Sequence, residues 1–164
     1  MCTIRKMEKE DLEQVKKIWY DRSIEVHRFV DSDPQKYWRV KIKACKFSDF
    51  ENPQDEIETY VYANKSIRGF IKIKNCDQCI YIYELFTKES NKGFGSKLLE
   101  KVKKEYPGKT LFLDVYIHNL QGVNWYLQKN FVIKEVRQDG DGEFDIKNFN
   151  CFKYKMMYSE SLSQ

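Results

Sequence analysis

The stretch "SNKGFGSKLLEKVKKEY", residues 90–106, sets Gly93 and Gly95 one residue apart, between lysines and directly ahead of a helical pattern. The first amides of a helix point outward unpaired and the helix dipole favours negative charge there, so such a loop is suited to an anion. Spacing limits which one. A P-loop needs G-x-x-x-x-G-K-[ST], and in Gly93-Phe94-Gly95-Ser96-Lys97 the glycines stand too close together to wrap a β-phosphate. A dinucleotide turn needs G-x-G-x-x-G, but Leu98 occupies the third position and no βαβ unit with a following acid completes it. What remains is a run of amides, Asn91, Lys92, Gly93, Phe94, Gly95 and Ser96, suited to a pyrophosphate lying across a helix N-terminus.

Outward from the loop the periods are clear. Leu98, Leu99, Val102 and Tyr106 form a helical stripe that Pro107-Gly108 ends. Upstream, "ETYVYA", "IRGFIKIK" and "CIYIYELF" alternate with period two and read as three antiparallel strands joined by short turns at "NKS" and Asp77-Gln78. Further upstream, "TIRKM" reads as a strand, and "EDLEQVKKIWYDR" as a helix with Leu12, Val15, Ile18 and Trp19 on one face. "SIEVHRFVD" reads as a helix end or loop. A second helix is expected from Asp33 as N-cap and Pro34 at the first position, with Trp38, Ile42 and Cys45 on its stripe. Downstream, "TLFLDVYI" is a strand of the buried sort and "NLQGVNWYLQKN" a short helix capped by Asn119. "FVIKEVRQ" and "CFKYKMMY" close the chain as strands around the turn-rich "DGDGEFDIKNFN". The order predicts one mixed α/β domain over residues 1–158, with residues 159–164 a frayed tail.

Composition excludes several classes. The 164 residues suit one core, and a net charge of +4 spread along the chain argues for no nucleic-acid partner. No apolar run approaches a membrane span and "MCTIRKMEKEDLEQV" has no signal-peptide core, so the expectation is a cytoplasmic protein without a membrane partner. Five cysteines without framework spacing are expected as thiols. Cys76-x-x-Cys79 reads as a turn with a cysteine at each end rather than half of a zinc site, and no metal is expected. Tyr60, Tyr62, Tyr81 and Tyr83 are expected to stabilise the hairpins as cross-strand aromatic pairs.

The element order, the loop Ser90-x-x-Gly93-x-Gly95, and Asn119-x-x-Gly122-x-x-Trp125-Tyr126-x-x-x-Asn130-Phe131 together resemble the GNAT superfamily of acetyl-CoA-dependent N-acetyltransferases. The resemblance runs from residue 4 to residue 158. Family members carry [Arg/Gln]-x-x-Gly-x-[Gly/Ala] and Asn-x-x-Ala-x-x-Phe-Tyr-x-x-x-Gly-Phe at these places. "IWYDRSIEVHRF" and "YVYANKSIRGFIKI" look like small single-domain bacterial members, often lysine-acetylating. Ser90 replaces the usual Arg or Gln, and the segment before the glycines is shorter than usual. Asn130 for Gly is a mild change, since Asn tolerates the left-handed conformation of a helix C-cap.

The resemblance implies a mostly antiparallel seven-stranded sheet flanked by about four helices, with acetyl-CoA as cosubstrate and an amine as acceptor. It implies a pyrophosphate cradle from Ser90 through Ser96, with Lys92 adding charge. The backbone of Leu85, Phe86 and Thr87 is expected to pair with the pantetheine arm, which requires the strand holding Leu85 to splay from the strand holding Leu113. A backbone N–H near Leu85 or Phe86 would polarise the acetyl carbonyl. Asn119, Gly122 and Tyr126, at i, i+3 and i+7, would border the cofactor, with Tyr126 as acid to the departing thiolate. Glu84 is the candidate base, although strand parity sets it on the opposite face from Leu85; His27 and His118 have suitable acidity. An acyl-CoA-binding or sensor protein of the same fold is the alternative. The acceptor (protein lysine, N-terminus or small amine) and the choice between monomer and homodimer stay open.

Overall fold

A computed structural model describes residues 2–26, 50, 55–138 and 152–160. Seven strands, β1 Thr3–Lys6, β2 Ile57–Asn64, β3 Ser66–Asn75, β4 Cys79–Thr87, β5 Thr110–Tyr116, β6 Phe131–Gln138 and β7 Phe152–Tyr158, form one sheet in the order β1-β2-β3-β4-β5-β7-β6. All pairs are antiparallel except β4 with β5. Three α-helices are described: α1 Leu12–Val26, α2 Phe94–Glu105 and α3 Leu120–Gln128. The expected helix from Asp33, the turn-rich segment before β7, and His27 lie outside the described residues.

The strand alternation sorts side chains onto two faces. Tyr60, Tyr62, Ile71, Ile73, Ile80, Ile82, Leu111 and Leu113 pack under α2 and α3 with Leu98, Leu99, Val102 and Val123. Val61, Ile67, Phe70 and Tyr116 face α1 and meet Val15, Ile18 and Trp19. Fully burying an aliphatic or aromatic side chain contributes about 1.5–3 kcal/mol, so these two layers fix strand register as well as fold.

Two local features were not legible in the period. In β4 the register jumps from Lys72↔Glu84 to Ile73↔Ile82, leaving Tyr83 as an extra, bulged residue. Ile80 and Ile82 therefore face α2, while Glu84, two residues on, faces α1 and accepts a 2.7 Å hydrogen bond from Trp19 Nε1. The expected tyrosine pairing is also corrected. β3 lies between β2 and β4, so Tyr60 and Tyr62 cannot pair with Tyr81 and Tyr83. Tyr62 stacks instead on Phe94 at 4.7 Å, and the Tyr60 and Tyr106 hydroxyls meet at 2.9 Å.

The turn between β3 and β4 is as expected: Cys76 N–H donates to Cys79 O at 3.0 Å, and both residues are thiols. No group of three or more metal-ligating side chains occurs among the described residues. Nor does any described helix have the length and apolarity to cross a membrane.

Candidate active site

β4 and β5 are paired only from Cys79↔Thr110 to Ile82↔Leu113. Beyond that point β4 runs on to Thr87 beside β3, and β5 runs on to Tyr116 beside β7. The two strands thus open into a wedge with a free edge on each side. Lys88 N–H donates to Arg68 O at 2.7 Å on the β3 side. Counting back by twos along the antiparallel register, the N–H groups of Phe86 and Glu84 face β3, and those of Leu85 and Thr87 face the wedge. Of Leu85 and Phe86, only Leu85 therefore turns its N–H to the wedge.

A cavity of about 540 Å³ occupies this opening and is bordered from both faces of the sheet. Its lining includes Trp19, Arg22 and Ser23 of α1 on one side and Gly122, Trp125 and Tyr126 of α3 on the other. Glu84, Leu85, Phe86, Thr87, Ser90, Asn91, Lys92, Gly93, Phe94, Gly95, Ser96 and Asn119 also line it, so the structure brings together the candidate residues named above other than the two histidines. His118 is not part of that lining.

The glycine loop enters α2 through two left-handed residues, Asn91 at φ 59° and Gly93 at φ 73°. Asn tolerates that region and Gly occupies it freely, which turns successive amides toward the helix start. Gly95 has a different reason to lack a side chain. A Cβ there would lie 3.4 Å from the Trp125 indole and 3.8 Å from Thr87 Cγ2, already in van der Waals contact with the α3 wall. Any larger side chain would close the space between α2 and α3.

Asn119 caps α3 as expected, its Oδ1 accepting from Gly122 N–H at 3.0 Å. A Cβ on Gly122 would stand 2.7 Å from Asn119 Nδ2, so glycine at this place lets the cap fold over the helix start. Tyr126 is wedged edge-on between the rings of Trp125 at 5.0 Å and Phe131 at 5.4 Å. Burial alone pushes its phenol above the ordinary tyrosine range, which keeps the proton on oxygen at neutral pH. Asn130, which follows α3, takes φ 64°, the left-handed conformation expected of a Gly substitute.

Asp114, Arg22 and Trp125 are among the lining residues that the sequence reading did not single out. Asp114 interrupts the apolar run of β5, accepts a hydrogen bond from the Tyr81 hydroxyl, and keeps Oδ1 buried without a hydrogen-bond partner among the described residues. Burial and that bond push the Tyr81 phenol upward. Arg22 interrupts the apolar stripe of α1, and Trp125 occupies an aromatic position of the α3 motif. Each was visible as a polar break in an apolar pattern or as part of a motif, but only the wedge shows what they border.

The sequence model of the acetyltransferase (GNAT) family matches residues 15–131. No curated protein sequence matches the chain significantly. Among solved structures, apo YjaB from Escherichia coli is 21% identical and superposes with TM-score 0.68, over 96% of this chain and 97% of that one. A GCN5-related N-acetyltransferase from Rhodopseudomonas palustris gives TM-score 0.71 at 18% identity, covering 96% and 94%. PaiA N-acetyltransferase from Thermoplasma acidophilum, solved with coenzyme A, gives 0.60 at 19% identity, covering 97% and 99%. These likenesses carry the fold, and the family match spans the wedge, the glycine loop and α3: the chain belongs to the acetyltransferase (GNAT) family.

Proposed function

We propose that this protein is an N-acetyltransferase that moves the acetyl group of acetyl-CoA directly to a primary amine. The observation that carries this reading is the wedge itself. A thioester at the end of a long amide-bearing arm needs two things from a protein: an open strand edge along the arm and an anion cradle at its far end. Residues 83–87 offer the first and residues 91–96 the second, both on the wall of one cavity.

The bound cosubstrate supplies an activated acetyl group and a thiolate leaving group. This chain's residues do the rest. The amides at the start of α2, with Lys92 beside them, hold pyrophosphate; Leu85 and Thr87 present N–H groups along the wedge to the pantetheine amides. Leu85 N–H stabilises the charge that grows on the carbonyl oxygen as the amine attacks. Tyr126, protonated and with burial as the sole influence on its acidity, donates to the departing sulfur. Asn119 and Gly122 shape the α3 wall between the cap and that hydroxyl.

On the α1 face, Glu84 and Asp114 set two carboxylates beside the opening, which favours a cationic acceptor that must lose a proton before attack. Glu84, held by Trp19, is the proposed proton acceptor; a protein lysine, a protein N-terminus and a small amine all meet this chemistry. The companion reading, an acyl-CoA sensor of the same fold, rests on Ser90; the tyrosine beside the wedge favours catalysis, since a binder needs no acid there. The single domain is proposed to work in the cytoplasm.

The test is release of free thiol from acetyl-CoA in the presence of lysine peptides, peptide N-termini and polyamines. Acceptor-dependent release supports the enzyme. Tight CoA binding with no release for any acceptor supports the sensor, and stabilisation by ATP but not by CoA contradicts both.

A further inference from the structure

We infer that Arg22 of α1 is a second phosphate-binding cation of this site beside Lys92, taking over from the long polar side chain that Ser90 lacks. The inference rests on the coenzyme A reading above. In the sequence the two residues are remote, and nothing in the loop pattern points to α1. In the structure Arg22 Nη2 donates to Ser90 Oγ at 3.2 Å, bridging 68 positions of sequence. The serine is thus occupied by the group that replaces its missing reach.

The placement follows from α1. Trp19, Arg22, Ser23 and Val26 fall on one helical stripe, and all line the cavity. Trp19 holds Glu84 at 2.7 Å, and one turn later Arg22 meets the loop that follows the same strand. α1 is therefore latched to β4 and to its outgoing loop at two polar points.

Arg22 is also incompletely satisfied. Its side chain is only 15% exposed, yet Nε is buried with no hydrogen-bond partner among the described residues. Nη1 pairs with Glu25 on its own helix, and the Ser90 bond is long for a charged donor, which usually sits at about 2.7–2.9 Å. A planar cation with donors to spare, bonded to Ser90 just ahead of the run of amides and lining the same cavity, suits a bidentate oxyanion. Glu89, the acid nearest in the loop, is paired through Oε1 with Arg68 at 2.8 Å, and its buried Oε2 has no hydrogen-bond partner among the described residues. Glu25 is half exposed and can turn to solvent when a phosphate takes its place.

The experiment is calorimetric binding of CoA and of pantetheine, which lacks the pyrophosphate, to native protein, Arg22→Gln and Arg22→Gln/Ser90→Arg. Arg22→Gln is expected to weaken CoA roughly 10- to 100-fold, the loss of a charged hydrogen bond, and to leave pantetheine unchanged. Adding Ser90→Arg is expected to restore most of the CoA affinity. Equal weakening of CoA and pantetheine would mean that Arg22 only holds the fold, and unchanged CoA binding would remove it from the site; either overturns the inference. If the native protein itself fails to bind CoA, the coenzyme A reading falls first, and with it the premise.

Discussion

Ile82 faces Leu113 at the last position where β4 and β5 are paired, and the wedge begins immediately beyond it. The bulge at Tyr83 falls one residue later. A bulge increases local twist and turns a strand out of its ladder, so the same irregularity that parts β4 from β5 also rotates Glu84 to the α1 face. The wedge and the placement of the candidate base have one structural origin.

Because β3 does not use Leu85 N–H, that donor can be deleted with its ladder bonds intact. Leu85→Pro removes the N–H and the side chain; Leu85→Ala removes the side chain alone. With Leu85→Ala as reference, the proline variant is expected to lose about 10²–10³ in kcat, the usual cost of one oxyanion donor, while both give native-like circular dichroism. Equal kcat in the two variants would remove Leu85 N–H from the reaction.

Tyr126→Phe is expected to lower kcat by about 10²–10⁴ without a change in melting temperature, since burial, not a hydrogen bond, governs this hydroxyl. The sign of the pH effect follows from the raised acidity constant. The active form is the protonated phenol, its proton is held beyond the ordinary tyrosine range, and kcat should therefore show no alkaline fall below about pH 10. A fall near pH 8 that disappears in Tyr126→Phe would contradict this.

Glu84→Gln and Asp114→Asn remove charge but keep an oxygen to accept from Trp19 and from Tyr81. If Glu84 takes the proton of the acceptor ammonium, Glu84→Gln lowers kcat/KM for the amine by about 10² at neutral pH and recovers as pH rises and free amine accumulates. Asp114→Asn is expected to raise KM for the amine with less effect on kcat. A flat response of both variants across pH would assign the proton to water.

Gly122 and Asn119 should be coupled. In the native background, Gly122→Ala drives Asn119 off its cap, so the cap's roughly 1 kcal/mol offsets the gain of alanine in a helix. With Asn119→Ala already present, the same change should stabilise by about 0.5–1 kcal/mol. Urea titration of the four proteins measures the coupling, and strict additivity would count against the cap geometry.

Acid stability should depend on Asp11. The Arg5 guanidinium, bound at 2.5 and 2.9 Å, is the largest influence holding this carboxyl below its usual range; burial opposes it, and Glu8 N–H at 2.9 Å assists. A depressed folded value means that the stabilisation is present above the unfolded value near 4 and is lost as pH falls through the lower folded one. Arg5 is 36% exposed, so Asp11→Asn is expected to cost a solvent-discounted 1 to 3 kcal/mol, about the range for charged hydrogen bonds. The cost should shrink as pH falls below the unfolded value near 4.

Much of the fold was legible because it is written locally. Period two gave β2 to β4, the Leu98-Leu99-Val102 stripe gave α2, and Asn119 announced α3. The glycine spacing, with Tyr126 downstream, pointed to residues that line one cavity. What was not legible depends on long-range geometry. Tyr83 looks like any strand residue, and its bulge exists only relative to β3. Arg22 and Ser90 are strangers in sequence, and their contact follows from α1 crossing β4. The tyrosine pairing failed for the same reason, because neighbours along the chain are not always neighbours in the sheet.

The most direct measurement is the product balance of a single reaction mixture: acetyl-CoA, this protein and the best amine of the panel, followed by thiol titration and mass spectrometry of amine and protein together. Direct transfer predicts thiol and acetylated amine in equal amounts, no acetyl group retained on the protein, and both products suppressed in Tyr126→Phe. Thiol without acetylated amine, or an acetylated protein that forms and decays in step with turnover, would contradict it.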